Sequence, residues 1–245
     1  MKSLSQRLSA VAERVPKGYV VVDVGSDHGR LPIHLVRSGT APRCVAVELL
    51  AQPCAVARRA VQEAGLTDRI DVRFGDGLEP LNANEAEVIC MAGMGGVNMV
   101  GILSRGRDRL GAVKRLVLQP IRGDERLRRY LMDEGWQLID ELALEERGWV
   151  YTILVAERGD PEAPYRGQTL DREALLRAGP LLLQSPNEAQ RIRWREEKAH
   201  LLRVMNGVRR NPSPRNQAKL AQVNREMSTV EAILKALGET DPETL

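Results

Sequence analysis

The chain has 245 residues, enough to bury one large core or a core with an appendage. Its 36 Lys and Arg are nearly balanced by 33 Asp and Glu, so the net charge of +3 indicates no particular partner. Cys44, Cys54 and Cys90 form no C-x-x-C pair, which argues against a disulfide framework or a zinc site. With no signal-like start and no apolar run of roughly 18 residues, we expect a cytoplasmic protein that binds neither membrane nor metal.

Apolar residues at helical spacing predict a first helix over 3–15. Short strands rich in Val or Ile then alternate with helical patterns. The strands are predicted at Tyr19–Val24, Arg43–Glu48, Arg69–Phe74, Glu87–Met91 and Lys114–Gln119, and the helices at Leu31–Ser38, Gln52–Ala64, Val97–Arg107 and Asp124–Glu134. Strands that are apolar on both faces and separated by crossover helices indicate a doubly wound, parallel α/β sheet.

The alternation ends in two consecutive strand patterns. Gln137–Leu144 and Trp149–Glu157 are joined by a short segment ending in Gly148, which predicts an antiparallel hairpin with this glycine in its turn. Five parallel strands closed by such a hairpin resemble the class I methyltransferase fold, a Rossmann-like fold that binds S-adenosylmethionine. A dehydrogenase would more commonly continue with another crossover.

The C-terminal third has a different composition. Residues 159–168 are rich in Pro, Gly and charge and suggest a linker, after which two long helices are predicted at Asn187–Arg210 and Arg215–Leu237, separated by the prolines of Asn211–Pro214. The second helix carries a heptad stripe of Leu220, Val223, Met227, Val230, Leu234 and Leu237. We therefore predict a catalytic domain over 1–158 and, over 159–245, a linker with a C-terminal antiparallel coiled-coil domain.

Three turns of the predicted sheet carry residues suited to an adenosine ligand. Gly25 and Gly29 punctuate the turn after the first strand, where backbone N–H groups can approach a ligand closely. Glu48 ends the second strand at about the 20-residue distance expected for a ribose contact, and Asp76 follows the third strand in a Gly-Asp-Gly turn, where it can accept from an adenine amine. Each turn also has an ordinary structural interpretation, since Asp-Gly is common in tight turns.

Polar and glycine-rich residues at the same edge suggest where chemistry occurs. Asp27 and His28 follow the central strand and face the crevice where doubly wound sheets bind ligands, although a single His more often packs or caps a helix. The fourth strand ends in Ala92-Gly-Met-Gly-Gly96. The chain lacks both the Asn/Asp-Pro-Pro-Tyr motif of adenine-amine methylation and the Pro-Cys nucleophile of cytosine methylation. A ring nitrogen, which needs positioning more than a strong base, remains as acceptor.

A basic stretch runs from Gln190 to Arg225, where many Lys and Arg residues face only Glu196 and Glu197. Helices with such a charge excess can track the phosphates of a structured RNA, although a basic helix can also be a merely solvated face. The predicted RNA-binding residues are Arg191, Arg193, Arg195, Lys198, Arg203, Arg209 and Arg210.

Taken together, the motifs resemble one family. These segments, in this order, resemble the bacterial tRNA (adenine-22-N1)-methyltransferases of TrmK type: Asp23-Val-Gly-Ser-Asp-His-Gly-Arg-Leu-Pro32, Gly75-Asp-Gly-Leu78, Met91-Ala-Gly-Met-Gly-Gly96, Leu118-Gln-Pro120 and Ala178-Gly-Pro-Leu-Leu182. The resemblance implies methyl transfer from S-adenosylmethionine, leaving S-adenosylhomocysteine, to N1 of an adenine in the tRNA D-arm.

On matching positions, the resemblance implies that Asp27 and His28 line the reaction pocket, and our hypothesis is that both are catalytic: Asp27 orients the adenine or offsets its developing charge, and His28 shapes the pocket. The resemblance also implies a set of cofactor-binding residues: Asp23, Gly25, Asp27, Glu48, Asp76, Gly77, Gly93, Met94, Gly95 and Gly96. The chain departs from the family pattern at Gly29-Arg30, where Ala-Tyr is usual, and at Ile121, where Asn is usual. The alternatives are a methyltransferase acting on another RNA, a protein or a small molecule, and a catalytically silent RNA-binding protein of the same fold.

Overall fold

A computed structural model describes residues 4–210 and 214–239. Its seven-stranded sheet has the order β3-β2-β1-β4-β5-β7-β6. The strands are β1 Val21–Val24, β2 Cys44–Glu48, β3 Ile70–Phe74, β4 Val88–Met94, β5 Arg115–Pro120, β6 Trp136–Glu146 and β7 Trp149–Arg158. The first five pair in parallel and β7 pairs antiparallel to β5. The predicted sheet with its terminal hairpin is confirmed.

Burial explains why the parallel strands are so apolar. All four residues of β1 and all five of β2 are buried, because helices cover both faces of the central strands. Helix α1 Gln6–Glu13 precedes the first strand, and the helices between strands are α2 Arg30–Arg37, α3 Ala51–Glu63, α4 Gly96–Arg105 and α5 Asp124–Asp133. All five match the predicted helices within a few residues, and residue 3 of the first prediction lies outside the described residues.

The hairpin turn has the geometry that a two-residue connection needs. Arg147 and Gly148 both have positive φ, 57° and 80°, which matches the twist of the flanking strands. The Gly148 N–H also donates to a carboxylate oxygen of Glu145 at 2.9 Å. β7 thereby returns between β5 and β6, the strand order seen in the sheet.

From Arg172 onward, the described part of the C-terminal region consists of helices joined by short connections. Two short helices that the sequence pattern did not indicate, α6 Arg172–Ala178 and α7 Pro180–Gln184, precede the two predicted long ones, α8 Glu188–Arg209 and α9 Pro214–Ala236. A capping box begins α8, in which Asn187 and Gln190 exchange side-chain and backbone hydrogen bonds. Most of the predicted break, 211–213, lies outside the described residues.

One apolar cluster joins α6, α8 and α9. Five residues of the predicted heptad stripe belong to it, together with Trp194 and Leu201 of α8, Ala174 and Ala178 of α6, and Ile233 of α9, which lies outside the stripe. The long helices therefore pack in a core that also includes a shorter helix. The coiled-coil geometry stays a prediction.

The chain divides into two compact units, each made of two separate stretches of sequence. The first contains 1–142 and 151–164, and the second contains 143–150 and 165–245. The tip of the hairpin is therefore grouped with the helical unit, while the predicted boundary between 158 and 159 stays a prediction. No helix in the described part of the chain is long and apolar enough to span a membrane.

Candidate cofactor and reaction site

The turn after β1 runs through an uncommon backbone conformation. Gly25 has φ 73°, and a Cβ atom there would lie 3.0 Å from Cε of Met94. Asp27, His28 and Gly29 then follow with φ 39°, 69° and 70°. Left-handed conformations in two successive non-glycine residues are strained and concentrate at functional sites. The strain falls on the two residues that the sequence predicts to be catalytic.

Glu48, at the end of β2, is buried with one acceptor oxygen left over. Oε1 has no hydrogen-bond partner within the described structure, although the residue is only 6% exposed. Burial raises the pKa of this carboxyl, and the charge of Asp27 adds to the rise, while the backbone N–H groups of Asp27 and Ser26 and the His28 ring oppose it. A buried acceptor without a donor is unfavourable, and a ligand hydroxyl would satisfy it.

Asp76 follows β3 in a tight turn where Gly77 has φ 58°. Its carboxylate pairs with Nη2 of Arg105 at 2.9 Å, and Arg105 lies in the last turn of α4. The sequence reasoning missed Arg105. The available signal was the helical spacing of Asn98, Ile102 and Arg105 on α4, which brings all three to one cavity.

These turns enclose a cavity of about 420 Å³ at the carboxyl edge of the sheet. Of the predicted cofactor residues, five line it: Gly25, Glu48, Asp76, Gly77 and Met94. Apolar residues, including Leu49, Leu50, Pro53, Val97 and Ile102, make up much of the remaining wall. A mainly apolar cavity of this size with two carboxylates at separate points fits an adenosine ligand, whose base is flat and whose ribose and amine donate hydrogen bonds.

The other predicted site residues lie around this cavity. Asp27 is exposed, and its Oδ1 lies 3.2 Å from Nε2 of His28, whose Nδ1 is buried without a partner in the described structure. Asp23 is buried inside β1. Gly95 caps α4, and Gly93 lies in an irregularity of β4. Whether these residues contact a ligand stays a prediction.

Gly96 has a clear packing role. Its N–H donates to the Arg122 carbonyl at 2.7 Å, and a Cβ atom would lie 2.3 Å from the Gly123 carbonyl oxygen. Only glycine permits this approach between the start of α4 and the start of α5. The residue therefore shapes the edge through backbone contact.

In the helical unit, several predicted RNA-binding residues are engaged by acids or by the helix. Arg191 and Arg195 each pair with Glu188 and Glu239, and Lys198 lies 3.8 Å from Glu231. These acids come from the first turn of α8 and from α9 and its end, so counting only between 190 and 225 missed them.

The remaining predicted RNA-binding residues differ in their contacts. Arg193 lies over the Trp194 ring, with 5.4 Å to the centroid, and Nε of Arg203 donates to the Ala199 carbonyl at 3.4 Å. Arg209 and Arg210 are exposed at the end of α8 and pair with no acid that the structure describes. Among the described residues, no cluster of three or more His, Cys, Asp or Glu could hold a metal ion.

Comparison with known proteins places this geometry in context. A family model described as tRNA (adenine(22)-N(1))-methyltransferase matches residues 21–232. The chain is 38% identical to a Bacillus subtilis protein named tRNA (adenine(22)-N(1))-methyltransferase, over 94% of this chain and 97% of that protein.

Solved structures agree over nearly the same length. The crystal structure of the B. subtilis tRNA methyltransferase TrmK superposes with a TM-score of 0.89 at 37% identity and covers 95% of this chain and 99% of its own. The Streptococcus pneumoniae protein Sp1610 in complex with S-adenosyl-L-methionine gives a TM-score of 0.83 at 32% identity and covers 95% of this chain and all of its own.

The buried carboxyl of Asp23 should make the stability of the protein depend on pH. Burial raises the pKa of its carboxyl from 3.8 to about 7, the charges of Glu48 and Asp27 add to the rise, and the Ser26 hydroxyl opposes it. Because the unfolded chain ionises this group first, its contribution to stability is full below 3.8 and is lost as pH rises to about 7. Asp23→Asn mimics the protonated carboxyl and should not lose this contribution. Between pH 5 and pH 8, the free energy of unfolding of wild type should therefore fall by about 2–3 kcal/mol relative to that of Asp23→Asn.

Urea unfolding of both proteins at the two pH values measures this difference. Asp68→Asn, which changes an exposed carboxylate of the same unit, is the matched control. Identical pH profiles for wild type and Asp23→Asn would show that the Asp23 proton does not contribute.

Proposed function

The chain belongs to the tRNA (adenine(22)-N(1))-methyltransferase family, and we propose that it transfers a methyl group from S-adenosylmethionine to N1 of adenine 22 in tRNA. The observation that carries the proposal is the buried Oε1 of Glu48 in the wall of the carboxyl-edge cavity, which has no hydrogen-bond partner among the described residues. A ribose hydroxyl would donate to it, as expected at the switch point of a doubly wound sheet. A tRNA substrate also implies a cytoplasmic location.

The residues present fit S-adenosylmethionine as the methyl donor. Glu48 would accept from the ribose, and Asp76 would accept from the adenine amine in place of its contact with Arg105. Gly25, which lacks a side chain and lies against Met94, would leave space for the amino-acid end. When bound, the donor supplies an electrophilic sulfonium methyl that the neutral N1 lone pair takes up, giving a cationic methyladenine.

The chain's own task is therefore positioning and electrostatic stabilisation. N1 carries no proton to remove, so no general base has to act before the attack. Asp27 is exposed at the reaction edge and held against His28, so its carboxylate would offset the positive charge that develops on the acceptor base. His28 would shape the pocket and hold Asp27 in place.

The acceptor nitrogen lies on the Watson–Crick edge of the base. The adenine must therefore be unpaired or extruded before reaction, which costs a few kcal/mol. Phosphate contacts elsewhere on the RNA would offset this cost. Arg203, Arg209 and Arg210 are better suited than Arg191 and Arg195, because no acid in the described part of the chain pairs with them, whereas Arg191 and Arg195 already have carboxylate partners.

The proposed function is tested on RNA. Purified protein, S-adenosylmethionine and a tRNA transcript are incubated, and nucleosides and mapped fragments are analysed by mass spectrometry. We expect one 1-methyladenosine at position 22 and none in a transcript with guanine at that position. Methylation of ribosomal RNA, protein or small molecules instead of tRNA would reject the proposal in favour of another methyltransferase activity.

Asp27→Ala separates turnover from cofactor binding. Loss of the Asp27 carboxylate removes one electrostatic contact with the developing positive charge, so single-turnover methylation should slow about tenfold to a hundredfold. Because Asp27 does not line the cavity wall, cofactor binding should be nearly unchanged. The dissociation constant for S-adenosylhomocysteine, measured by calorimetry, should change by less than about threefold. A variant that weakens product binding while the rate is kept would contradict this role, and Asp68→Ala provides the control.

Two double variants compare the basic residues of α8. Arg209→Ala with Arg210→Ala should weaken tRNA binding and lower the slope of log affinity against log salt by about 1–2, because up to two phosphate contacts are lost. Arg191→Ala with Arg195→Ala should change the slope less, since these side chains are paired with Glu188 and Glu239. Equal slopes for the two variants would show that Arg209 and Arg210 contact no more phosphates than Arg191 and Arg195 do.

A further inference from the structure

The pairing of β4 with β5 contains an irregularity at the reaction edge. Ala92 pairs with Gln119 and Met94 pairs with Pro120, so Gly93 is an extra residue that the register skips. Gly93 has φ 78°, the left-handed conformation typical of glycine in a bulge. A bulge leaves the backbone N–H of the extra residue without its partner in the ladder.

A buried side chain supplies the missing partner. Oε1 of Gln119 accepts from the Gly93 N–H at 3.1 Å, and Nε2 donates to the Pro120 carbonyl at 2.8 Å. Gln119 has no exposed surface, so its amide is enclosed at the end of β5. A fully buried amide that bonds to a bulge fixes the bulge more strictly than a backbone bond could, because its own orientation is also set.

The first helix contacts the same amide from the other side. Nη1 of Arg7 donates to Oε1 of Gln119, and the guanidinium lies 5.3 Å from the ring centroid of Tyr151 on β7. A Cβ atom on Gly93 would lie 3.4 Å from Nη1 of Arg7. Residues from α1, β4, β5 and β7 thus meet at one point, although Arg7 and Gln119 are 112 residues apart in sequence.

The residue directly after the bulge reaches the cavity. Met94 lines the cavity wall, and its Cε lies 3.0 Å from the position that a Gly25 Cβ would take. The Met94 carbonyl accepts from the Ile121 N–H at 2.9 Å, which ties the loop to the end of β5 on its other side. Side chains alternate along a strand, so loss of the bulge would move Met94 out of this position.

We propose that Gln119 and Arg7 are positioning residues for methyl transfer, because they hold the Gly93 bulge that places Met94 against the Gly25 turn. The inference rests on the proposed function and adds to it two residues that do not line the cavity. Gln119 acts on the reacting groups through the backbone of the loop, and Arg7 acts through Gln119.

Variants of Gln119 test the hydrogen bond with little change in volume. Gln119→Met removes the acceptor, and we expect single-turnover methylation of tRNA to fall about a hundredfold, the scale of a misplacement of about 1 Å. Gln119→Glu keeps an acceptor for Gly93 and Arg7 but, as a carboxylate, loses the donation to the Pro120 carbonyl, so it should recover only part of the rate, to within about tenfold of wild type. The dissociation constant for S-adenosylhomocysteine should rise less than the rate falls.

Hydrogen exchange at the Gly93 amide gives a readout without activity. Gln119→Met should speed exchange about tenfold or more, and Gln119→Glu should keep the protection of wild type. The matched control is Gln137→Met, because Gln137 in β6 likewise accepts a backbone N–H, that of Asp160 at 3.1 Å, and should leave both the methylation rate and the Gly93 exchange unchanged.

The inference is overturned if Gln119→Met keeps the rate and the Gly93 protection, or if Gln119→Glu restores neither. Should Gln119→Met not fold, Arg7→Met and Arg7→Lys decide the matter, with a loss expected for Met and partial recovery for Lys, which retains a donor. Equal rates for both Arg7 variants and wild type would reject it. A wild-type protein that methylates no tRNA rejects the proposed function alone, because Gly93 exchange still reports on the bulge.

Discussion

The parallel pairing of β1 with both β2 and β4 is the constraint on which the site depends. It places β1 at the point where the strand order changes direction, with β2 and β3 on one side and β4 and β5 on the other. The connections on the two sides of β1 therefore run over different faces of the sheet. The carboxyl ends of β1, β2, β3 and β4 consequently meet at one edge. Gly25, Glu48, Asp76 and Met94 become neighbours through this pairing and not through closeness in sequence.

The electrostatics of this edge suit a cationic methyl donor. Asp23 and Glu48 are both buried carboxylates with raised pKa values, one within β1 and the other at the end of β2. Such groups are unfavourable in the free protein, and a positively charged ligand beside them would stabilise their ionised forms. No Lys or Arg in the described part of the chain forms an ion pair with either carboxylate, whereas Asp76 pairs with Arg105.

The helical unit shows why counting charges along a sequence overstates a binding surface. Between 190 and 225 the chain is strongly basic, yet Glu188, Glu231 and Glu239, which lie outside that range, reach back to Arg191, Arg195 and Lys198. Exposed ion pairs of this kind contribute little to stability. They do reduce the charge that an RNA phosphate would meet, whereas Arg209 and Arg210 at the end of α8 form no ion pair with an acid that the structure describes.

Local patterns in the sequence determined the strands, the long helices, the hairpin and the turns after β1, β2 and β3, because apolar periodicity and glycine placement act over a few residues. The short helices α6 and α7 gave too few turns for a period to be recognised. The close approach of Gly96 to the Gly123 carbonyl was not expected from the sequence, and its predicted contact with the cofactor stays a prediction. Arg105 at Asp76, and Arg7 and Gln119 at Gly93, were decided by tertiary structure alone, since a hydrogen bond between distant segments leaves no periodic trace in either of them.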